Sequence, residues 1–443
     1  MENFELKKQL IRSGTGSILV RIIGTGLAFV LSVILARTLG PDGFGLYSFV
    51  LTLLVFLSIP IQAGFPNLTV REVSKAHLKN DWAAMKGILW WTLKIIGIYF
   101  VGLAFLLLIV TVSDINWLSE ERLKVFVAGF ILIPLLSILV IQNAYMRGLG
   151  RVVIGIVPDS VIRPGLALLF LISAIYLFSD IKITPLMAMG GYLFSVFIAF
   201  CVSLILMWKL TPKENRSMSV LKVESNQWKK AAYPLTIVGG LQLMYSYTDI
   251  LILGLFHENA DVGVYRAVGQ LGTLVVFGLS AINQMLHPHF SKLYAANELD
   301  KLQKIVTYSS LAIFTFAIIP AVVFLFAGEY ILRLTFGGDY IVGFIPLAIL
   351  TMGQLANASF GSVGALLNMT GNEKDAMKGM VYSLGVNFVL AFLLIPTYGM
   401  VGAATATAFS LMTWNLILRY YVKKRLNIES IGFIQIIKQR YLN

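Results

Sequence analysis

Apolar runs of about 20 residues recur from one end of this chain to the other, each long enough to cross a bilayer core of roughly 30 Å as a helix. No other feature restricts the fold as strongly. Hydrocarbon offers the backbone no water to bond, so a spanning chain must be helical or a closed barrel. A barrel would show alternating segments of about 10 residues, a pattern this chain lacks. Of its 443 residues 58% are hydrophobic and 13% charged, against about 25% charged in a soluble domain. The expectation is an all-α integral membrane protein. Twelve spans are predicted, near 14–36, 45–66, 87–112, 123–146, 152–178, 184–208, 233–256, 263–288, 306–328, 341–367, 376–397 and 399–422.

Met1 to Ser13 is polar and lacks the apolar core and cleavage site of a signal peptide, so the first span is expected to direct insertion. An even number of spans puts both termini on one side. With that side cytoplasmic, about 26 of the 35 Lys and Arg residues fall inside and about six outside, the distribution that cytoplasmic loops favour. The net charge of +13 is thus topological and gives no reason to expect nucleic acid. The single Cys201 excludes an intrachain disulfide and a cysteine metal site. The largest inner loop carries Lys209, Lys213, Arg216, Lys222, Lys229 and Lys230. The outer loops are short; 113–122, with Asp114, Glu120 and Glu121, is among the longest. The expected organisation is an N-lobe (1–210, spans 1–6), a cytoplasmic linker (211–232), a C-lobe (233–422, spans 7–12) and an amphipathic tail (423–443).

The halves read as copies. Val33 to Tyr47, through Gly40-Pro41-Asp42-Gly43-Phe44-Gly45-Leu46-Tyr47, matches Leu251 to Tyr265, which closes on Gly263-Val264-Tyr265, at an offset of 218. Leu78-Lys79-Asn80-Asp81 matches Asn297-Glu298-Leu299-Asp300, and Arg147-Gly148-Leu149-Gly150 matches Asn368-Met369-Thr370-Gly371. Six spans per half insert in the same orientation, so the expected architecture is two six-helix lobes related by a pseudo-two-fold axis along the membrane normal, around a central cavity. Residues 67–85 and the tail 423–443 suit helices lying on an anionic leaflet. Pro60, Pro134, Pro158, Pro164, Pro320 and Pro346 interrupt spans and permit bending.

Charges inside a membrane are costly and should face protein or a water-filled cavity. Arg21 lies deep in span one beside Gly24, Thr25 and Gly26; the alternative is snorkelling to inner headgroups. Asp159 and Arg163 share a face of span five, where they bind substrate or neutralise each other. Arg266 and Gln270, followed by Asn283, Gln284, His287 and His289, make a polar stripe on span eight, either lining an aqueous path or bonding a neighbouring helix. Asp249 in span seven is a candidate for ion coupling or for pairing with an arginine, with Asp159 a second coupling candidate. Lys94, beside Trp90 and Trp91, reads as snorkelling. Three deep arginines against two acids favour a substrate with phosphate or carboxylate groups, which arginine binds in bidentate geometry.

There is no phosphate-binding loop and no HExxH, and His77, His257, His287 and His289 form no recognisable metal motif, so no cofactor is expected. The loops are too short for a catalytic domain. The run from Leu35 to Tyr47, Gly64-Phe65-Pro66-Asn67 leading into Arg71-Glu72-Val73, and Gln142 with Arg147-Gly148-Leu149-Gly150-Arg151 resemble polysaccharide-exporting flippases of the Wzx type. That family lies within the multidrug/oligosaccharidyl-lipid/polysaccharide exporter superfamily. The resemblance covers most of the chain and implies two lobes, alternating access and transfer of a polyprenyl-diphosphate-linked oligosaccharide from inner to outer leaflet. It also implies a cationic cavity, for which Arg21 and Arg266 stand about where related lipid II flippases use arginines, and a monomer working beside the polymerase and glycosyltransferases of its pathway. Without ATP, the drive would be an H+ or Na+ gradient, membrane potential or consumption of product. Two alternatives remain: a cation-coupled drug antiporter of the same superfamily, which should carry carboxylates in spans one and seven, and a membrane glycan polymerase or ligase.

Overall fold

A computed structural model describes residues 2–112, 119–177, 182–212, 221–435 and 437. Asp114, Lys213, Arg216 and the tail from 438 onward lie outside the described residues. Among those described, regular structure is helical and without strands. In order the helices are α1 (Glu2–Gln62), α2 (Phe65–Leu78), α3 (Trp82–Val112), α4 (Glu120–Gly129), α5 (Leu132–Gly148), α6 (Val152–Val157), α7 (Arg163–Leu177) and α8 (Pro185–Leu210). There follow α9 (Ser225–Phe256), α10 (Asn259–Val275), α11 (Phe277–Ala295), α12 (Leu299–Thr335), α13 (Phe344–Ser359), α14 (Val363–Met369) and α15 (Glu373–Leu426).

Nine helical stretches among the described residues are long and apolar enough to cross a membrane, ten if α10 and α11, bent by 45°, count as one. Two of them fold back on themselves. In α15 the backbone leaves the helix at Gly399 (φ 51°), Ser383 Oγ donates to the Ser410 carbonyl at 2.7 Å, and a Cβ on Gly402 would run into the Leu394 carbonyl. Residues that far apart in sequence touch only if the chain has reversed. In α1 the break is Gly40 (φ 67°). Leu31, Leu35 and Tyr47 line one small crevice, although a straight helix would hold Leu35 and Tyr47 about 18 Å apart. Each hairpin crosses twice, which gives the twelve crossings expected.

The chain forms two compact units: Met1–Leu39 with Leu46–Met244, and Gly40–Gly45 with Tyr245–Asn443. The second boundary falls inside α9, downstream of the loop 211–232. The end of that loop is fastened to the first unit. Trp228 is buried and packs on Trp91, the Lys222 amide bonds the Ala83 carbonyl at 3.2 Å, and Lys222 pairs with Asp81 and Glu224. Glu224 and Asp81 hold the Lys222 ammonium above its usual range.

The repeat is visible in hydrogen bonds. Asn80 and Asn297 are both left-handed, at φ 53° and 57°. Each follows a helix whose end is closed the same way: Asn80 and Asp81 amides bond His77 and Ala76 carbonyls, while Asn297 and Glu298 amides bond those of Tyr294 and Leu293. This is the Schellman closure, in which a left-handed residue satisfies the last carbonyls. It places Asn80 opposite Asn297, two residues off the register expected from sequence. Gly150 and Gly371, both at φ 76°, repeat the device with Arg151 to Met146 and Asn372 to Leu367. Inside the second unit the corner of the first copy, Gly40–Gly45, meets the second copy. A Cβ on Gly45 would strike the Asn259 carbonyl, and one on Gly263 the Pro41 carbonyl; the offset of 218 carries Gly45 to Gly263 and Pro41 to Asn259, so each contact is the counterpart of the other.

Of the two segments expected on the leaflet surface, α2 and the start of the tail as far as it is described are packed against protein. α2 buries Phe65, Leu68, Thr69, Val73 and Ala76 and exposes Arg71 and Lys75. Its Val73 fills the space a side chain at Gly148 would need, and Ser74 Oγ donates to the Gly148 carbonyl at 3.0 Å. In the tail, Ile428, Glu429 and Ser430 are buried. Gln303 donates to the Glu429 carbonyl and accepts from its amide, and the Glu429 carboxylate takes both arms of Arg419 at 3.0 and 3.1 Å. Hydrophobicity in a basic tail cannot distinguish lipid from a protein groove; a buried glutamate, intolerable in either without a partner, could have. Glu429→Ala should cost about 1–3 kcal/mol in reversible unfolding in detergent, because it leaves the partly exposed Arg419 guanidinium and the Gln303 contacts without their buried partner. Arg419→Met with Glu429→Leu should recover most of that loss, and a double variant as weak as the single would contradict this reading.

Candidate functional site

In the first unit, α1 runs beside the helix of span five. The contact is close because Gly24 has no side chain: a Cβ there would run into the Ser160 backbone. Ser160 lies in a π-helical turn, Pro158–Ile162, that joins α6 to α7. Pro158 cannot donate a backbone hydrogen bond, and single π turns mark such interruptions and often functional positions. The packing brings Arg21, one turn before Gly24, next to the helix carrying Asp159 and Arg163. Asp159 and Arg163 pair with each other at 3.2 Å, and the guanidinium lies over Tyr192, 5.9 Å from its ring centroid. Of the two sequence readings of this pair, the structure shows them joined.

Arg21 has a different neighbour. It is exposed and sits within the electrostatic field of Arg147, at the last turn of α5. Arg147 Nε is buried with no partner, and so are Asn143 Oδ1 one turn earlier and Gln142 Oε1. Two guanidinium groups that feel each other's charge, one with an unmatched N–H, can take an anion with several oxygens; the Asn143 and Gln142 oxygens are acceptors and call for a donor instead. Arg147 was legible in sequence only as part of a turn motif. What marks it is the unsatisfied nitrogen, which needs coordinates to see.

In the second unit, Asp249 on α9 is joined by groups from both arms of the α15 hairpin and from α10. Asn387 Nδ2 donates at 3.1 Å, Tyr265 OH at 3.3 Å, and Thr407 Oγ1 also donates. Tyr265 OH and Thr407 Oγ1 are 3.2 Å apart, Thr407 Oγ1 lies 3.0 Å from the Ala403 carbonyl, and Tyr245 OH meets Ser410 Oγ at 2.8 Å. Thr407 therefore has one proton for two acceptors. Asn387 Oδ1 is buried without a partner. The cluster is short of positive charge, and no Lys or Arg reaches Asp249 among the described residues.

Arg266 and Gln270 lie on α10, whereas Asn283, Gln284 and His287 lie on α11, beyond the bend at Val276. The predicted stripe is thus two short faces rather than one. Asn283 Oδ1 is buried and unmatched; Gln284 is exposed.

Hairpins, bent spans and buried polar clusters in two helical units define a multi-pass membrane protein of transporter architecture. Residues 10–294 match the model of the polysaccharide biosynthesis protein family, and the chain belongs to that family. It is 22% identical over 429 residues to the probable low-salt glycan biosynthesis flippase Agl15 of Haloferax volcanii, an alignment covering 95% of this chain and 85% of that protein. Among solved structures it resembles the lipid II flippase MurJ in an inward closed conformation, with a TM-score of 0.71, 14% identity and coverage of 98% and 92% of the two chains. It also resembles an inward-facing multidrug MATE transporter of the MOP superfamily, at TM-score 0.70, 13% identity and coverage of 92% and 98%. The fold is shared by a flippase and a drug transporter, so it does not choose between them.

Arg163→Ala should destabilise the protein by about 1–3 kcal/mol by leaving a half-buried carboxylate unpaired. Asp159→Asn with Arg163→Ala should return about 0.5–3 kcal/mol of that as coupling energy. Thermal unfolding of the four variants closes the cycle, and strictly additive losses would refute the structural pairing.

Proposed function

We propose that this chain is a flippase moving a polyprenyl-diphosphate-linked oligosaccharide from the inner to the outer leaflet of the cytoplasmic membrane by alternating access, for surface glycan synthesis. The observation that carries the proposal is the uncompensated pair Arg21 and Arg147 in the first unit, in a member of the polysaccharide biosynthesis family. A diphosphate offers several anionic oxygens in the geometry guanidinium forks prefer. The relative Agl15 is named a probable glycan biosynthesis flippase, which supports the same class of cargo. A cation antiporter would favour unpaired carboxylates in spans one and seven, and Asp249 in span seven fits that pattern; span one does not. From Gly16 to Leu39 there is no acid, and Asp159 on the adjoining helix is already paired with Arg163.

Termini in the cytoplasm and action as a monomer complete the proposal; the Lys/Arg distribution supports the first. The coupling ion is assigned to the second unit. Asp249, Thr407 Oγ1, the Ala403 carbonyl and Asn387 Oδ1 are all hard oxygen ligands that fit a monovalent cation, while a proton would sit on the Asp249 carboxylate. The bound ion would supply the charge that the carboxylate lacks. Asn387 and Thr407 hold that carboxylate in place.

The test is reconstitution with lipid-linked oligosaccharide extracted from the source cells, reading the glycan that becomes accessible to membrane-impermeant periodate. Wild type should expose it faster than empty vesicles, and Arg21→Ala and Arg147→Ala should each run at under about a tenth of that rate. Uptake of a fluorescent organic cation without glycan transfer would overturn the proposal in favour of the antiporter. Asp249→Asn should keep the glycan bound while abolishing any difference between Na+ and choline media, or between imposed pH gradients.

A further inference from the structure

One histidine has an acceptor on either side of its ring, one at hydrogen-bond distance and one at ion-pair distance. His257 follows the last turn of α9, its amide bonding the Leu253 carbonyl at 2.8 Å. Its Nε2 lies 2.7 Å from the Ile395 carbonyl of the α15 hairpin. Its Nδ1 lies 3.4 Å from Asp261 Oδ2 in the first turn of α10. A carbonyl and a carboxylate only accept, whereas a neutral imidazole has one N–H and one lone pair. The neutral ring protonated on Nε2 keeps the Ile395 bond but gives Asp261 nothing. Only the imidazolium, with two N–H donors, serves both contacts.

The ring is seated. Gly399, at the hairpin's break (φ 51°), lies under it, and a Cβ there would be 3.2 Å from Cε1 and 3.4 Å from Nδ1. Gly399 thus answers two demands, the left-handed turn and the room for the ring. The His257 side chain is 24% exposed and Asp261 35%, so solvent protons reach the pair. The other titratable or charged groups around it are acidic or neutral. Glu258, the next residue, is exposed; Tyr398 beside Gly399 is exposed; Asp42, on the corner that packs on Gly263, is exposed. Among the described residues no Lys or Arg pairs with Asp261.

His257 ties together the ends of three elements, and each leads to the Asp249 cluster. Asp249 lies eight residues before His257 on α9; Asn387 lies eight before Ile395 and Thr407 eight after Gly399 on the two arms of α15. Eight helical residues are two turns and about 12 Å. We propose that His257 is a proton-binding site whose loaded form clamps the ends of α9, α10 and the α15 hairpin over the Asp249 cluster, and whose neutral form releases one of the two contacts. That this end faces the outside rests on the orientation proposed above; the proton site does not.

The test uses the full chain in lipid nanodiscs. Cys201→Ser removes the native thiol, and nitroxide labels are placed at the exposed Leu255→Cys and Tyr398→Cys. Dipolar coupling between the labels should be strong and narrowly distributed at pH 5.5 and weaker and broader at pH 8.5. His257→Gln, which can donate to Ile395 but carries no charge, should lose the pH dependence. Asp261→Asn should also lose it, but in the clamped direction, because an amide can donate to the Nδ1 of a neutral ring. Coupling that is the same at both pH values in wild type would overturn the proposal. So would a pH response that survives in His257→Gln, or an Asp261→Asn variant that opens at pH 8.5. These readouts involve neither glycan nor Na+, so the flippase reading stands or falls separately.

Discussion

Hydrocarbon cannot hydrogen-bond, and the rest of this structure follows from that constraint. It requires every span to be helical, so that the backbone satisfies itself. It also governs side chains. Thr92 donates to the Ile88 carbonyl, Ser137 to Ile133, Ser195 to Gly191 and Thr405 to Val401. Each small hydroxyl is satisfied by its own helix, one turn back, and asks nothing of its neighbours. Against that background the exceptions are informative. Arg147 Nε, Asn387 Oδ1 and Asn283 Oδ1 are buried and unmatched. An unmatched group costs about 1–3 kcal/mol; the hydroxyls of Ser32, Ser203 and Thr351 are unmatched as well, and what sets Arg147 apart from them is its charge.

Close backbone approach is the second consequence. Lipid drives helices together weakly, so association depends on van der Waals fit and on small residues at crossings. Gly24 against Ser160 joins the helices of the arginine cluster. Gly45 and Gly263 join the two copies of the opening motif, with each Cβ position also within 3 Å of the other glycine's amide nitrogen. Contacts made by backbone leave no side chain to rearrange, and they lock or separate as rigid pieces.

Span number, hairpin breaks and internal repetition were legible in the sequence because each has a local cause. Apolar length sets the spans, and Gly40-Pro41 and Tyr398-Gly399 mark the reversals. The repeat was visible, but its middle register was not: Asn80 aligns with Asn297 through a left-handed helix end, a property of φ rather than of hydropathy. Site residues were harder. Deep charges could be named, but not which of them were already spent. Asp159 and Arg163 pair in charge across one turn, although Asp159 Oδ1 receives no hydrogen bond, whereas Arg147, at a helix end that sequence reads as a loop motif, has an unmatched Nε. His257 was set aside because it belongs to no metal motif. Its partners are a backbone carbonyl 138 residues away and a carboxylate one turn on, and the first of these leaves no trace in composition.

The two copies have diverged in chemistry while keeping their turns. At the offset of 218, the counterpart of Arg21 is Gly239, and the counterpart of Asp249 is Leu31. Gly239 is used for packing: a Cβ there would run into the Ala63 carbonyl. Leu31 is a buried core residue. Each charged group therefore stands in one copy where the other has given that position to close contact or to the core. A symmetric protein with arginine at both sites would repel itself as well as bind an anion, and one with aspartate at both would hold two ions for each cargo. On the function proposed above, the anion would be held by the first unit and the coupling ion by the second, and two distinct sites are what a carrier needs if binding one ligand is to change the free energy of binding the other.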